Sequence, residues 1–461
     1  MDHIVVGKAV GYTGLAALGV GWPIFAVVVV FISSLHTGMG VLIARFAGAN
    51  EHRKVGRVVY QSLLACTVLG VLVFPPIGYA LSPWLLGLVN AAPEVQQEAL
   101  PYLRTLFLSC WGVLMFFMIS GAFRAGGDAQ TPMRLGFAMT AINLVLSLVL
   151  VRGFYFIPAL GTVGAALGTT LANSATAAYG IYHLARGGSS VSLNTNRWGP
   201  DWKILSALFR FGLPSGVQGL VMAVGAALLV GYIGGLEQSA EAQAAYSVAY
   251  GQLFSFINWI GLAIMSAAAT VAGQNLGARS VDRAARTAFS ASMVGVVVTA
   301  PIAALFLFIP RQLLQIFDIK DEQVLQIGEE LLVYLSGACI LLVIGLAYTG
   351  ALQGTGDTRS PLIVALVSKL LAPLGLCALF DLTIGLTAPR IWIAVVFGFF
   401  LRAVMSVRYF QRGKWRDIQV DIGPSMSTHY GLQRPDPSQL VGKSGMLRRP
   451  RKGAGQSAAR H

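Results

Sequence analysis

Six polar or ionisable side chains lie in stretches that are otherwise apolar: Asp2, His36, Gln218, Gln252, Asn258 and Lys369. An acid at the centre of a membrane helix costs roughly 2.5–3.5 kcal/mol on insertion scales, so such a group is a candidate functional site by default. Asp2 is the one acid that could lie well inside a span, the opening helix of the first copy. Its protonation or cation occupancy could bias a conformational equilibrium; the competing reading is an exposed carboxylate at a frayed start. His36 titrates near neutral pH unless perturbed, and fits either proton or ligand handling or an interhelical hydrogen bond. Lys369 facing a cavity would disfavour a cationic ligand there; its other use is to snorkel to the surface. Gln218, Gln252 and Asn258 either line a cavity or bridge helices. Met222, Phe254, Phe256, Trp259 and Met265 could offer a promiscuous ligand an aromatic and thioether surface, although packing against lipid is the commoner use.

Patterns for catalysis or metal binding are missing from the sequence. Cys66, Cys110, Cys339 and Cys377 are each isolated in apolar runs and read as inert buried thiols. No paired carboxylates, His/Asp cluster, nucleophile elbow or phosphate loop is present. The expectation is therefore a non-enzyme with no metal and no cofactor.

Membrane helices must position these residues. Hydrophobic residues make up 55% of the chain and charged residues 11%, against about 25% charged in a soluble domain. Apolar runs occur at 15–44, 58–80, 101–123, 135–152, 159–184, 206–235, 242–273, 287–309, 330–352, 361–380 and 388–410. Most reach the ~20 residues that cross ~30 Å of hydrocarbon as a helix. Backbone groups in lipid must be satisfied within the segment, so the fold class is an all-α integral membrane protein.

The chain also repeats itself at an offset of 229. Ala44 to Ala49 (ARFAGA) returns as Gly273 to Ala278 (GQNLGA), and Phe123 to Pro132 (FRAGGDAQTP) returns as Leu352 to Pro361 (LQGTGDTRSP). Duplication in a membrane protein is a mark of transporters. With six spans per copy, both copies point the same way, as lobes related by an axis along the membrane normal. The second copy opens near Trp202, so most of the first copy's opening helix maps ahead of Met1, and Met1–Gly7 aligns with Val230–Leu236. A start assigned too late or a fragment is expected, and an eleven-helix variant is the alternative.

Within this plan, Thr131 and Ser360 are expected as N-caps with Pro132 and Pro361 at the first helical position, and Asp128 and Asp357 as solvated turn carboxylates. Gly48 and Gly277 are expected to take the left-handed conformation that ends a helix. The Gly161–Gly168 stretch is a small-residue packing face.

Basic residues such as Arg45, Arg53, Arg57, Arg124, Arg134, Arg186, Arg279, Arg283 and Arg286 collect on one set of loops, and acids such as Glu94, Glu98, Glu237, Glu241, Asp321 and Glu322 on the other. The basic side, with the C-terminus, is expected to be cytoplasmic, the chain being multi-pass in the cell (inner) membrane. Residues 1–184 form the first lobe, 185–203 a cytoplasmic linker, 204–415 the second lobe and 416–461 a disordered basic tail. The net charge of +14 reads as contact with anionic lipid, not nucleic acid.

Six motifs in order, in both halves, carry a family resemblance: Met1 to Gly7, Gly48-Ala49-Asn50, Arg124 to Pro132, Gly212-Leu213-Pro214, Gln274 to Ala278 and Leu352 to Pro361. Over about residues 1–415 the chain resembles multidrug and toxic compound extrusion (MATE) transporters, of the multidrug/oligosaccharidyl-lipid/polysaccharide exporter superfamily. The resemblance implies a twelve-helix fold of two six-helix lobes around a central cavity, with the first helix largely missing here. It also implies efflux of amphipathic, cationic small organic compounds in exchange for H+ or Na+, by a monomer whose partners are substrate and membrane lipid. Asp2 matches the acidic residue of the family's first helix. Asn143 matches an Asn of helix 5 in one branch, where Ser147 replaces the acid four residues on; Met222 and the 341–344 region stand where the sodium-coupled branch carries acids. Carboxylate relay coupling is thereby weakened, leaving Asp2, Asn143, Ser147 and Thr169 to hold a proton or cation through carboxylate, hydroxyl and amide oxygens. A flippase for a lipid-linked saccharide, a membrane enzyme and a non-transporting scaffold are the alternatives.

Overall fold

A computed structural model describes residues 2–89, 92–155, 158–187, 191–193, 199–317, 319 and 321–420, excepting the side chains of residues 2–4 and 8. Its helices are α1 (Asp2–Ala9), α2 (Tyr12–Gly48), α3 (His52–Leu88), α4 (Pro93–Leu108), α5 (Cys110–Ala125), α6 (Gln130–Arg152) and α7 (Gly161–Arg186). They continue as α8 (Trp202–Gly234), α9 (Ser239–Gly277), α10 (Val281–Phe308), α11 (Pro310–Gln315), α12 (Glu322–Gly354), α13 (Arg359–Thr383) and α14 (Ala388–Gln411). Among the described residues nine helices are long and apolar enough to span a membrane, and α4 with α5, bent by 51°, would make a tenth. The remaining expected span, α7, is 26 residues long but rich in Gly, Ala and Thr. The chain is thus an all-α multi-pass membrane protein.

The offset of 229 holds in three dimensions. It carries α2 onto α9, α3 onto α10 and α11, α4 and α5 onto α12, α6 onto α13, and α7 onto α14, while α1 maps onto the end of α8. Even the turns match. Asn50 and its twin Arg279 have φ of 57° and 60°, and Gly127 and its twin Gly356 have φ of 94° and 98°.

Two local expectations are corrected here. The left-handed residues after α2 and α9 are Asn50 and Arg279; Gly48 and Gly277 are still helical. These glycines serve a helix crossing instead: a Cβ on Gly48 would fall on the Gln274 carbonyl, and one on Gly277 on the Arg45 carbonyl. Nor are Thr131 and Ser360 the capping acceptors. The Asp128 carboxylate takes the Gln130 and Thr131 N–H groups at 3.0 Å and the Thr131 hydroxyl at 2.6 Å. Asp357 likewise takes the Ser360 N–H and hydroxyl. A carboxylate reaches two donors where a hydroxyl reaches one, so the aspartates hold the turns. Burial pushes the Asp128 carboxyl upward, but the Thr131 hydroxyl and the Thr131 and Gln130 N–H groups outweigh it and leave it below the usual aspartate range.

Hydrogen bonds join the two lobes at the basic end. Gln274 donates to the Ala125 carbonyl (3.0 Å) and Thr270 to that of Arg124 (3.2 Å). In the opposite sense Arg45, the twin of Gln274, donates to the carbonyls of Thr355 and Ile418. Because Ile418 sits at the start of the segment assigned to the tail, the chain stays packed on the bundle at least that far. Trp415 is buried there, and its indole donates to the Phe410 carbonyl. The rest of the expected tail, from residue 421, lies outside the described residues.

A second seam joins α2 to α8. Gly38 meets the Leu208 carbonyl and Gly212 that of Ser34, with Gly219 against Val30. The twin of this seam on α9, formed by Trp259, Ala263 and Ala267, is exposed. Asp201 caps α8 and pairs with Arg57 of α3, while Gln61 clamps the backbone of Gly199 and Asp201.

Candidate functional site

Each lobe carries its own polar centre, and the two differ in chemistry. In the N-terminal lobe Asn143 donates to the Thr169 hydroxyl at 3.0 Å and lies 3.5 Å from that of Ser147. The Thr169 carbonyl also accepts from the Asn173 amide at 2.7 Å. Close packing makes the cluster: a Cβ on Gly168 would come within 2.7 Å of the Ser147 hydroxyl, and Gly164 faces the Leu150 backbone. Gly161–Gly168 is therefore a packing face, as its composition suggests. The structure brings Asn143, Ser147 and Thr169 together on α6 and α7 as neutral oxygen and amide groups. Asp2 belongs to α1, but its side chain lies outside the described residues.

In the C-terminal lobe a cavity of about 250 Å³ is enclosed by α8, α9, α12, α13 and α14. Two cations line it. Lys369 donates to the Tyr250 hydroxyl at 3.3 Å and stands 3.9 Å from the centre of the Phe399 ring, so it points inward and does not snorkel. Arg402 is 2% exposed, and its Nε is buried without a partner, as is the Ser368 hydroxyl. No carboxylate is among the lining residues. Tyr246 stacks on Tyr250 at 4.8 Å, and Tyr250 on Phe254 at 5.2 Å.

Two π-helical turns shape this cavity, Ser247–Leu253 in α9 and Leu366–Leu371 in α13. Such turns recur at functional sites. In α13 the cause is legible: Pro373 has no N–H to return to the Lys369 carbonyl four residues back. Gly225 of α8 approaches that same carbonyl, where a Cβ would stand 2.7 Å away.

The other candidates are scattered. Asn258 lines the C-terminal cavity with Lys369. Gln218 is buried but accepts from the Gln353 amide at 3.2 Å, tying α8 to the end of α12. Gln252 is exposed. His36 packs on Gly121 of α5, its Nε2 buried without a partner. Sequence reasoning missed Arg402, Ser368, Tyr250 and Phe399. A basic residue well inside the run 388–410 was the available signal for Arg402.

Comparison with known proteins agrees with this architecture. The family model described as MatE matches residues 1–149 and 214–377. A probable multidrug resistance protein NorM from Thermotoga maritima is 23% identical over 88% of this chain and 86% of its own length. The multidrug export protein MepA of Staphylococcus aureus is 25% identical over 77% and 76%. Among solved structures, an outward-facing MATE transporter of the MOP superfamily superposes with a TM-score of 0.82 at 23% identity, covering 89% of this chain and 90% of that one. A MOP transporter from Pyrococcus furiosus, described as having a binding pocket of reverse polarity, gives 0.80 at 22% identity over the same shares.

Proposed function

The chain belongs to the MATE family of membrane transporters, and from that premise we propose that it is an antiporter exporting small amphipathic organic compounds in exchange for H+ or Na+. The observation that carries this reading is the reciprocal closure of the basic end. Twin glycines, Gly48 and Gly277, each meet the other lobe's backbone, and the twins Arg45 and Gln274 each donate across the divide. Contacts of this kind can be made or broken as a unit, which alternating access between two rigid lobes requires. The basic end, with the C-terminus, is placed at the cytoplasm of the inner membrane, so the conformation described is closed to the inside. The chain acts as a monomer.

Coupling is assigned to the N-terminal lobe. Asn143, Ser147 and Thr169 form the oxygen-rich set in which a proton or cation would bias the two states, and Asp2 is the acid that the family resemblance adds to it. Cationic cargo fits that neutral lobe better than the C-terminal cavity, where Lys369 and Arg402 oppose it. A flippase gains from those cations, but about 250 Å³ is below the roughly 300–1,000 Å³ of drug-sized pockets, leaving little room for a saccharide head group. The test is efflux of ethidium from proteoliposomes under an imposed inward proton or sodium gradient. Gradient-driven efflux that falls in Asn143→Ala supports the assignment. Efflux that ignores both gradients sinks the antiport reading, and unchanged coupling in Asn143→Ala sinks the site.

A further inference from the structure

Lys369, half-buried, and Arg402, fully buried, line one cavity of the C-terminal lobe, and no carboxylate is among its described lining residues. Burying one charge carries a desolvation penalty that a partner normally offsets. Lys369 has only the Tyr250 hydroxyl and the Phe399 ring as substitutes, and the Arg402 guanidinium has no hydrogen bond or ion pair among the described residues. Replacing buried ions by hydrophobic residues of similar size is often neutral or stabilising, so packing gives no reason for this pair. We propose that this cavity is a binding site for a small organic anion, a carboxylate on an apolar or aromatic body, held by Lys369 and Arg402.

The geometry specifies the class. A guanidinium fork matches a carboxylate in two parallel hydrogen bonds, and an ammonium adds a point charge beside it. The unpartnered Arg402 Nε and Ser368 hydroxyl add buried donors. Around them the lining is apolar and aromatic, with Leu229, Leu342, Val395 and the Tyr246–Tyr250 stack. At ~30 Å³ per water, a cavity of about 250 Å³ holds the volume of roughly eight waters, enough for a one-ring acid.

The duplication shows that the fold does not require this arrangement. Stepping back 229 residues, Lys369 becomes Thr140, Arg402 becomes Asn173, Phe399 becomes Thr170 and Tyr250 becomes Gly21. All four positions that give the C-terminal cavity its charge and aromatic walls carry small or neutral residues in the N-terminal lobe. The inference goes beyond the antiport reading and does not depend on it, because binding is measured without a gradient.

The test is titration of the purified full chain in detergent with salicylate, against inorganic phosphate and ethidium as comparators. Salicylate is expected to bind and raise the unfolding temperature, with affinity falling about tenfold or more in Lys369→Met and in Arg402→Met. Thr140→Ala, at the twin position, keeps wild-type affinity. Ligand-free Lys369→Met is expected to be as stable as the wild type or more so, which separates binding from folding. Should Arg402→Met not fold, Lys369→Met and competition on the wild type carry the test. Unchanged salicylate affinity in Lys369→Met overturns the proposal. So does phosphate binding as tightly as salicylate, or ethidium binding that depends on Lys369. Salicylate binding that survives in a chain without gradient-driven efflux leaves this site standing and removes only the antiport.

Discussion

Adding a single methyl group at either twin glycine should open the basic end of the bundle. A Cβ on Gly48 or Gly277 lands on a backbone carbonyl of the opposite lobe, and backbone cannot rotate away as a side chain can. Overpacking of this kind costs typically 1–3 kcal/mol, and it is felt only where the two helices cross. The ratio of closed to open conformers should therefore fall by about 5- to 150-fold in Gly48→Ala or Gly277→Ala. Spin labels at Arg53→Cys and Asp282→Cys, exposed twin positions on α3 and α10, report the separation by pulsed electron resonance. The four native cysteines are buried, so background labelling is small. A longer inter-lobe distance is expected in both variants. Gly40→Ala, on the same helix with nothing within 4 Å of its Cβ position, is the control and should leave the distance unchanged. If the correctly folded Gly48 and Gly277 variants give the wild-type distribution, the reciprocal crossing does not hold the lobes together.

Three further outcomes follow from the same contacts. Gln274→Ala removes the hydrogen bond to the Ala125 carbonyl, about 1 kcal/mol net, and the same spin-label pair should show a roughly fivefold shift toward the open form. Asp128→Ala removes the group that caps α6, lowering stability by about 1 kcal/mol at neutral pH, as thermal unfolding would show. Since the folded Asp128 carboxyl lies below its ordinary value, its contribution is complete above about pH 3.9 and is lost as pH falls through the folded value; the gap between variant and wild type should then close in acid. Pro373→Ala gives the Lys369 carbonyl an N–H partner again, so the π turn of α13 should tighten and salicylate binding weaken, readable by the same titration.

Class, duplication and the place of most helices were legible in the sequence because they depend on composition and period. A run of about twenty apolar residues has few structures open to it in lipid, and a repeat at 229 is visible as spelling. The N-terminal cluster of Asn143, Ser147 and Thr169 came from resemblance and local spacing, and helix packing through Gly168 does bring it together. Gly48 and Gly277 were seen as helix ends, yet their use depends on a carbonyl more than two hundred residues away, which no local rule contains. Arg402 was passed over for the same reason. Inside an apolar run it reads as one exception among many, and only the meeting of five helices puts it in one cavity with Lys369 and no acid among the described lining residues. Local chemistry settles what each segment becomes in a bilayer, whereas the electrostatic character of a cavity belongs to residues that share no segment. That part of the protein is decided only when the helices pack.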